Sequence, residues 1–252
     1  EHPQIGTRKF SDDERDLVRR LYDISTEDAG VVKLIETKGH GIIKATNHDV
    51  KAVEYYMKGK LRGTSLEDTL EWIHFALTSE DVNNLAYGLM LSDGLEHVLL
   101  PSVEELYKAI EEQAQRYRNV PILARTHGQP ASPPTFGKEL KVFSSRIRSQ
   151  LDQLWNHQIQ VKLNGATGNY NAHAVAYPQV DWIAFTNEWV ERFNAGRKVK
   201  LRSNLVTTQI EPHDTYAELF DTIRRLNTVI IDFDQDMWRY ISDDWVTQKP
   251  VR

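Results

Sequence analysis

Cysteine is absent from the 252-residue chain. Its absence excludes disulfides, thiolate metal sites and cysteine nucleophiles, and it fits a reducing compartment, so we expect a cytoplasmic protein. No apolar run approaches the roughly 20 residues that a membrane-spanning helix requires. The first residues lack the basic and then apolar layout of a signal peptide. We therefore expect no membrane partner.

An excess of positive charge is also lacking, since the formal net charge is -5. A dedicated nucleic-acid-binding protein usually carries a basic excess, so we expect no nucleic-acid partner. A local basic pocket for an anionic small molecule remains compatible with this balance. The 40% hydrophobic content is enough for a sizeable core, in one large domain or two small ones.

Strand patterns are scarce, and apolar residues instead recur every three or four positions over long stretches. This spacing predicts helices over about 66–77 and 82–91, on either side of a polar break at 78–81, and long helices over 103–117, 136–154 and 213–242. Polar segments rich in glycine and proline separate them. The pattern predicts an all-α protein, an elongated bundle of long helices with a small helical N-terminal part.

The predicted organisation has a partial N-terminal helical domain over residues 1–65 and a central long-helix bundle domain over 66–252. In the N-terminal part, Ser11 with Glu14 forms a capping-box pattern, and a second short helix is predicted to begin near Ser25. Either Asn47 or Asp49 is expected to cap a third helix.

Four polar clusters interrupt the helices, and in a helical bundle the chemistry is expected to come from such loops and helix ends. One cluster contains His127, between Arg125, which could hold an anion, and Gly128, which lets the backbone approach a ligand. Histidine suits proton transfer because its ordinary pKa lies near neutrality. The alternative is a loop histidine whose ring is satisfied by backbone groups.

The other clusters are also open to two interpretations. Thr78 and Ser79 stand at a predicted helix start, where hydroxyls and backbone N–H groups can hold a phosphate or carboxylate. They could equally form a simple N-cap. The same choice applies to Thr207 and Thr208 before the last helix and to the turn 47–49.

Metal and cofactor sites are not predicted. The chain has no His-Glu-x-x-His motif and no carboxylate array at ligand spacing. Gly165-x-x-Gly168 is not a dinucleotide fingerprint, because a preceding strand and a third glycine are lacking.

Five blocks, in this order, resemble the adenylosuccinate lyases of the bacterial-type branch of the fumarase/aspartase superfamily. Such a set is far more specific than a single motif. The blocks are Thr46-Asn-His-Asp-Val-Lys-Ala-Val-Glu-Tyr55, Trp72-Ile-His-Phe-Ala-Leu-Thr-Ser-Glu-Asp-Val-Asn-Asn84, Arg125-Thr-His-Gly-Gln-Pro-Ala131, Asn164-Gly-Ala-Thr-Gly-Asn-Tyr-Asn-Ala-His173 and Thr207-Thr-Gln-Ile-Glu-Pro-His-Asp214.

The resemblance implies a lyase of purine nucleotide biosynthesis. The expected reaction eliminates fumarate from adenylosuccinate to give AMP, and a second reaction does the same to the succinyl-carboxamide ribotide. The resemblance makes His127 the general acid and places His74 near the substrate phosphate. It also implies a homotetramer built on the long helices. The remaining implied substrate contacts are Asn47, His48, Asp49, Thr78, Ser79 and Gln209.

The sequence departs from the family pattern at the expected base. The family's base is a serine in a mobile Gly/Ser-rich loop that should follow the helix ending near Ser242. That loop, the third helical domain and an early Arg-Tyr segment are not found, so the chain resembles the middle of a lyase. We expect the 252 residues alone to be inactive, which fumarate release by purified 1–252 would contradict.

Two alternatives remain open at this point. One is another lyase of the superfamily, acting on argininosuccinate or aspartate. The other is a non-catalytic helical assembly fragment, which the missing serine loop favours.

Overall fold

The computed structural model describes residues 4–249 and contains, within them, nine α-helices and four short strands. The predicted all-α class with long helices is confirmed. The two-stranded pairs β1–β2 and β3–β4 are the only sheets of the described part. In chain order the elements are α1 (Asp12–Arg19), α2 (Thr26–Thr37), α3 (Asp49–Leu61), α4 (Ser79–Gly94), α5 (Leu100–Arg116), β1 (Arg125–Thr126), β2 (Gln129–Pro130), α6 (Phe136–Trp155), β3 (Gln158–Val161), α7 (Asn171–Ala176), α8 (Trp182–Phe193), β4 (Lys200–Ser203) and α9 (Asp214–Ser242).

Two compact units divide the chain, and each combines segments that are distant in sequence. Unit 1 contains the described residues up to Gly88 together with Gln160–Arg192 and Arg202–Pro212. Unit 2 contains Leu89–Ile159, Phe193–Leu201 and the described residues from His213 onward. The predicted division into 1–65 and 66–252 stays a prediction.

The core of unit 2 is a helical layer in which α6 packs against α5 and α9. The predicted stripe of α6 is buried, with Ile147, Leu151 and Leu154 fully enclosed. Burying each such side chain stabilises the unit by about 1.5–3 kcal/mol. Gly137 lets α5 and α6 approach closely, because a Cβ there would lie 2.3 Å from the Ala114 carbonyl oxygen.

A π-helical turn, Leu95–Leu99, joins α4 to α5 without a loop. Pro101 follows it in the first turn of α5. Proline has no N–H for a helical hydrogen bond and crowds the preceding turn, and a wider turn is one way for a helix to pass it.

Helix α9 confirms the long helix predicted over 213–242, but its apolar residues do not all face inward. Leu219, Leu226 and Val229 are buried as the core requires. Phe220, the neighbour of the fully buried Leu219, is 55% exposed. It shares an outward-facing apolar stripe with Ile231 and Trp238.

In unit 1, α2 packs against α3 around Ile35, Ala52 and Tyr56. Both predicted helix starts are confirmed, since Ser11 and Ser25 each form a complete capping box.

The helix predicted from residue 66 is wrong in its first part. Residues Glu67–Trp72 form a 3-10 helix, and turns follow until α4 begins at Ser79. His74 and Ala76 have φ angles of 76° and 57°, which an α-helix cannot contain. An apolar residue every third or fourth position fits a 3-10 turn as well as an α-helix, so spacing alone did not distinguish them.

Candidate functional site

Left-handed backbone is concentrated in the five sequence blocks. Of seven non-glycine residues with positive φ in the described part, only Asp244 lies outside them. Such conformations cost about 1–3 kcal/mol each and tend to occur at functional sites, where the surroundings hold them in place. The other six are Asn47, His74, Ala76, His127, Tyr170 and His213.

Of the eight residues predicted to bind or react, seven lie in unit 1 and His127 lies in unit 2. The seven are Asn47, His48, Asp49, His74, Thr78, Ser79 and Gln209.

The turn 47–49 is fixed by the end of α2. The Asn47 amide donates to the Glu36 carbonyl at 2.9 Å, and Asn47 takes a φ of 48°. The expectation that Asn47 or Asp49 caps the next helix is wrong. His48 is the N-cap of α3, because it is extended and its ring nitrogen accepts from the Lys51 amide. The Asn47 backbone is left-handed, and Asp49 already belongs to the helix. The side chains of Asn47, His48 and Asp49 are all exposed.

His48 and Ser79 contact each other, with 3.0 Å between Nε2 and Oγ. His48 Nδ1 accepts from the Lys51 amide at 3.4 Å in the tautomer that carries the ring proton on Nε2. The Asp49 carboxylate lies 3.2 Å from Nδ1, which is an ion-pair distance for a protonated ring. With the ring proton on Nε2 the imidazole donates to Ser79, and with the proton on Nδ1, beside Asp49, the Ser79 hydroxyl donates to Nε2.

Thr78 and Ser79 form the beginning of the 16-residue helix α4. The exposed Gln209 side chain reaches this point and donates to the Thr78 hydroxyl at 3.3 Å. Hydroxyl, amide and imidazole groups from three separate segments therefore meet at a helix N-terminus, where the helix dipole favours an anion. His74 is half-buried in the preceding turns.

A buried polar network lies behind this helix start, and the sequence did not predict it. Asp81 and Lys162 form an ion pair with no exposed side-chain area. Asn84 and Asn164 are also fully buried. The spacing of Thr78 and Asp81 is that of a capping box, which was a usable local signal. Lys162 is 81 positions further along the chain, so no local pattern connects it to Asp81.

His127 occupies the tip of the β1–β2 hairpin. Thr126 pairs with Gln129, so His127 and Gly128 are the two central residues of the turn, with φ angles of 49° and 74°. Positive φ at both positions is the type I′ geometry that matches the twist of a hairpin. Arg125 donates across the turn to the Gly128 carbonyl at 3.3 Å. The hairpin presents an exposed imidazole on a defined backbone.

Unit 1 also contains an aromatic cavity of about 590 Å³. Trp72, Phe75, Trp182 and His173 are among its lining residues, whereas none of the seven unit 1 candidates lines it. Burial lowers the pKa of His173, and the nearby Lys162 adds to this while Asp81 opposes it. His173 is therefore expected to be neutral at pH 7.

No group of three or more His, Asp or Glu side chains in residues 4–249 is arranged to hold a metal ion. In the same residues, no helix is long and apolar enough to cross a membrane.

A family profile described as lyase matches residues 6–248. The chain is 47% identical over 228 residues to adenylosuccinate lyase of Escherichia coli K12, which covers 90% of this chain and 47% of that protein. It is 41% identical over 247 residues to adenylosuccinate lyase of Dictyostelium discoideum, covering 96% and 50%. The chain therefore spans about half the length of the curated relatives it matches.

Two solved structures share the fold. A fumarate lyase from Mesorhizobium sp. BNC1 aligns with a TM-score of 0.61 at 16% identity, covering 90% of this chain and 52% of that one. A β-carboxy-cis,cis-muconate cycloisomerase from Acinetobacter calcoaceticus aligns with a TM-score of 0.63 at 18% identity, covering 94% and 51%. At these identities the likeness concerns the fold alone.

Proposed function

Because the chain belongs to the lyase family, whose profile matches residues 6–248, we propose that its protein eliminates fumarate from adenylosuccinate to give AMP. The same chemistry would convert the succinyl-carboxamide ribotide of purine biosynthesis. The observation that carries the proposal is the meeting of His48, Thr78, Ser79 and Gln209 at the N-terminus of α4. The relatives at 47% and 41% identity support the purine substrate.

The substrate class suits the groups in unit 1. Adenylosuccinate carries a phosphate and two carboxylates, so its binding requires several directional donors. The Ser79 hydroxyl, the amides of the first α4 turn and the Gln209 amide are groups of this kind. We assign substrate contacts to these residues and to Thr78, with Asn47, His48 and Asp49 in the adjoining turn. His74 is assigned to the neighbourhood of the phosphate.

The reaction requires one proton to leave carbon and another to reach nitrogen. A base removes the proton from Cβ of the succinyl group, and negative charge develops on the adjoining carboxylate. The former C–H electron pair becomes the new C=C bond, and the C–N bond breaks with its electrons moving to nitrogen. We assign protonation of that nitrogen to His127, which leaves fumarate and AMP. Donors placed where charge develops lower the barrier.

The Arg125–Gly128 contact supports the role of His127. It spans the turn of the hairpin, and together with the β1–β2 pairing it places the imidazole at a defined turn position. Fixed placement of a proton donor is a large part of general acid catalysis.

The proposed assembly is a homotetramer, so the partners of each chain are three further copies of it. In α9 the exposed Phe220, Ile231 and Trp238 fall within about 20° of one another around the helix axis at 3.6 residues per turn. An outward apolar stripe of this kind is typical of an interface. The proposed compartment is the cytoplasm, where purine nucleotides are made.

Substrate choice is tested by fumarate release from the full-length protein. We expect release from adenylosuccinate and essentially none from argininosuccinate or aspartate at the same concentration. Preferential release from argininosuccinate or aspartate would assign the protein to another lyase of the superfamily. Absence of release from all three, with the helical fold intact, would favour the non-catalytic assembly alternative.

A further inference from the structure

The start of α4 rests on a buried charged pair. Lys162 Nζ lies 2.5 Å from Asp81 Oδ1, and neither side chain has exposed area. Lys162 also donates to the Gly165 carbonyl at 3.1 Å. A buried ion pair gains little net stability, because the loss of hydration offsets the attraction between the charges. Its position in this core therefore calls for a role other than stability.

The Asp81 carboxylate connects two backbone segments. One oxygen accepts from the Thr78 amide at 2.9 Å and the Gly165 amide at 3.2 Å. The other accepts from Lys162 and from the Asn164 amide at 3.2 Å. These four donors saturate a carboxylate, so both segments are held to one group.

Asn84 fixes Lys162 from the second turn of α4. Its side-chain oxygen accepts from the Lys162 amide at 2.7 Å, and its side-chain nitrogen donates to the Lys162 carbonyl at 3.1 Å. The lysine is thus clamped by its backbone as well as by its charge, which leaves it little freedom to leave Asp81.

Asn164 extends the connection to a third segment. Its side-chain nitrogen donates to the Thr207 hydroxyl at 2.9 Å. Gly168 approaches the same residue so closely that a Cβ would lie 2.1 Å from the Thr207 carbonyl oxygen. Two positions later, Gln209 donates to Thr78 at 3.3 Å and closes the ring of contacts.

We propose that Asp81 and Lys162 are positioning residues for the substrate-binding segments. They fix Thr78 directly and, through Asn164 and Thr207, they fix Gln209. Lys162 also balances the Asp81 charge, so that an anionic substrate at the α4 N-terminus does not face an unpaired carboxylate. This proposal rests on the proposed function, because its ligand is the substrate of that reaction.

The test is the double variant Asp81→Asn/Lys162→Met of the full-length protein. It removes both charges together, so that neither is left buried and unpaired. The side-chain NH₂ group that replaces one oxygen of the Asp81 carboxylate cannot accept a hydrogen bond from a backbone amide. We expect a folded protein in which KM for adenylosuccinate rises and kcat/KM falls by about 100-fold, the effect of a small misplacement of contacts.

The matched control is Glu54→Gln/Lys58→Met. This pair is also largely buried in unit 1, and Glu54 otherwise bonds to Lys51 and Lys58 to Glu71. The control should keep KM near the wild-type value. A folded Asp81/Lys162 double variant with wild-type KM would overturn the proposal.

A second variant decides the outcome if the double variant does not fold. Asn164→Ala keeps the charged pair but removes the link to Thr207, and it should also raise KM. Wild-type KM in Asn164→Ala would then overturn the proposal.

A substrate-free measurement separates this proposal from the proposed function. If the wild-type protein releases no fumarate, the function fails, and hydrogen exchange of the amides of Thr78, Asn164 and Gly165 becomes the readout. Faster exchange of these amides in the folded variants than in the control supports positioning by the pair. Unchanged exchange overturns it.

Discussion

At the scale of single residues, the proposed site depends on backbone that only certain residues can adopt. Gly168 combines a φ of 75° with a contact that leaves no room for a Cβ beside Thr207. Gly63 has a similar φ of 71° with no neighbouring atom within 4 Å. An alanine at Gly168 would therefore suffer both conformational strain and steric overlap, whereas an alanine at Gly63 in the same unit would suffer strain alone.

We predict that Gly168→Ala destabilises the protein by about 3 kcal/mol or more, because strain and overpacking add. Gly63→Ala should cost only about 1 kcal/mol, the strain alone. Denaturant unfolding of both variants measures the difference. Equal losses would show that the Gly168–Thr207 approach is not a tight contact.

The site was predictable where chemistry is local in sequence. The polar blocks located the Ser79 helix start and the His127 loop, and the structure brings His48 to Ser79 and Gln209 to Thr78. The catalytic and binding roles of these residues stay proposals. Lys162 was not predictable, since a lysine 81 positions from its partner leaves no pattern that spacing can detect.

At the scale of elements, helix contacts depend on where glycine replaces a larger residue. Gly137 lies where α6 meets α5, and a Cβ there would overlap the Ala114 carbonyl oxygen. Gly94, at the end of α4, has no neighbour within 4 Å of the same position. Replacing glycine with alanine should therefore change the free energy of unfolding in opposite directions at these two helical sites in unit 2.

We predict that Gly137→Ala lowers the free energy of unfolding by about 1–3 kcal/mol through overpacking. Gly94→Ala should raise it by about 0.5–1 kcal/mol, because alanine loses less backbone entropy on forming a helix. Chemical denaturation of the two variants checks both signs. Stabilisation by Gly137→Ala would contradict the close approach of α5 and α6.

The packing of α2 on α3 should depend on pH through Asp28. The Tyr56 hydroxyl donates to this carboxylate at 2.6 Å, and Ser25 and Lys60 also bind it, which holds its pKa well below the usual value. A depressed pKa means that the stabilisation is present above the unfolded pKa, near 3.8, and is lost as pH falls through the folded pKa.

We predict that the melting temperature declines on acidification below about pH 4, the ordinary range of aspartate. Asp28→Asn should melt lower at pH 7 and show a shallower decline. Asp12→Asn, at a side chain that is 96% exposed, should keep the wild-type slope. If the melting temperature of Asp28→Asn declined as steeply with acidification as that of wild type, the Asp28 carboxylate would not be the source of the pH dependence.

Helix type was predictable from apolar spacing for α5, α6 and α9, because long runs at one period leave few other structures. Spacing failed at 66–77, where left-handed His74 and Ala76 interrupt the helix. It also failed to tell which apolar side of α9 is enclosed. Phe220 is as apolar as its buried neighbours, so only the packing of other helices distinguishes them.

At the scale of the whole molecule, the proposed assembly follows from the exposed stripe of α9. Trp238 is 69% exposed at its end. We predict that the full-length protein sediments as a tetramer at micromolar concentration and that Trp238→Glu shifts it to smaller species. Val175→Glu, at an apolar residue 86% exposed in unit 1, should leave sedimentation unchanged. A strict monomer would count against assembly through α9.

The central claim is that the protein is a lyase whose departing nitrogen is protonated by His127. The most direct test compares turnover of adenylosuccinate and binding of AMP in full-length wild type and His127→Ala. We predict that wild type releases fumarate and AMP in equal amounts, and that the variant folds, binds AMP and turns over about 10²–10⁴-fold more slowly. Near-normal turnover in the variant would contradict the account.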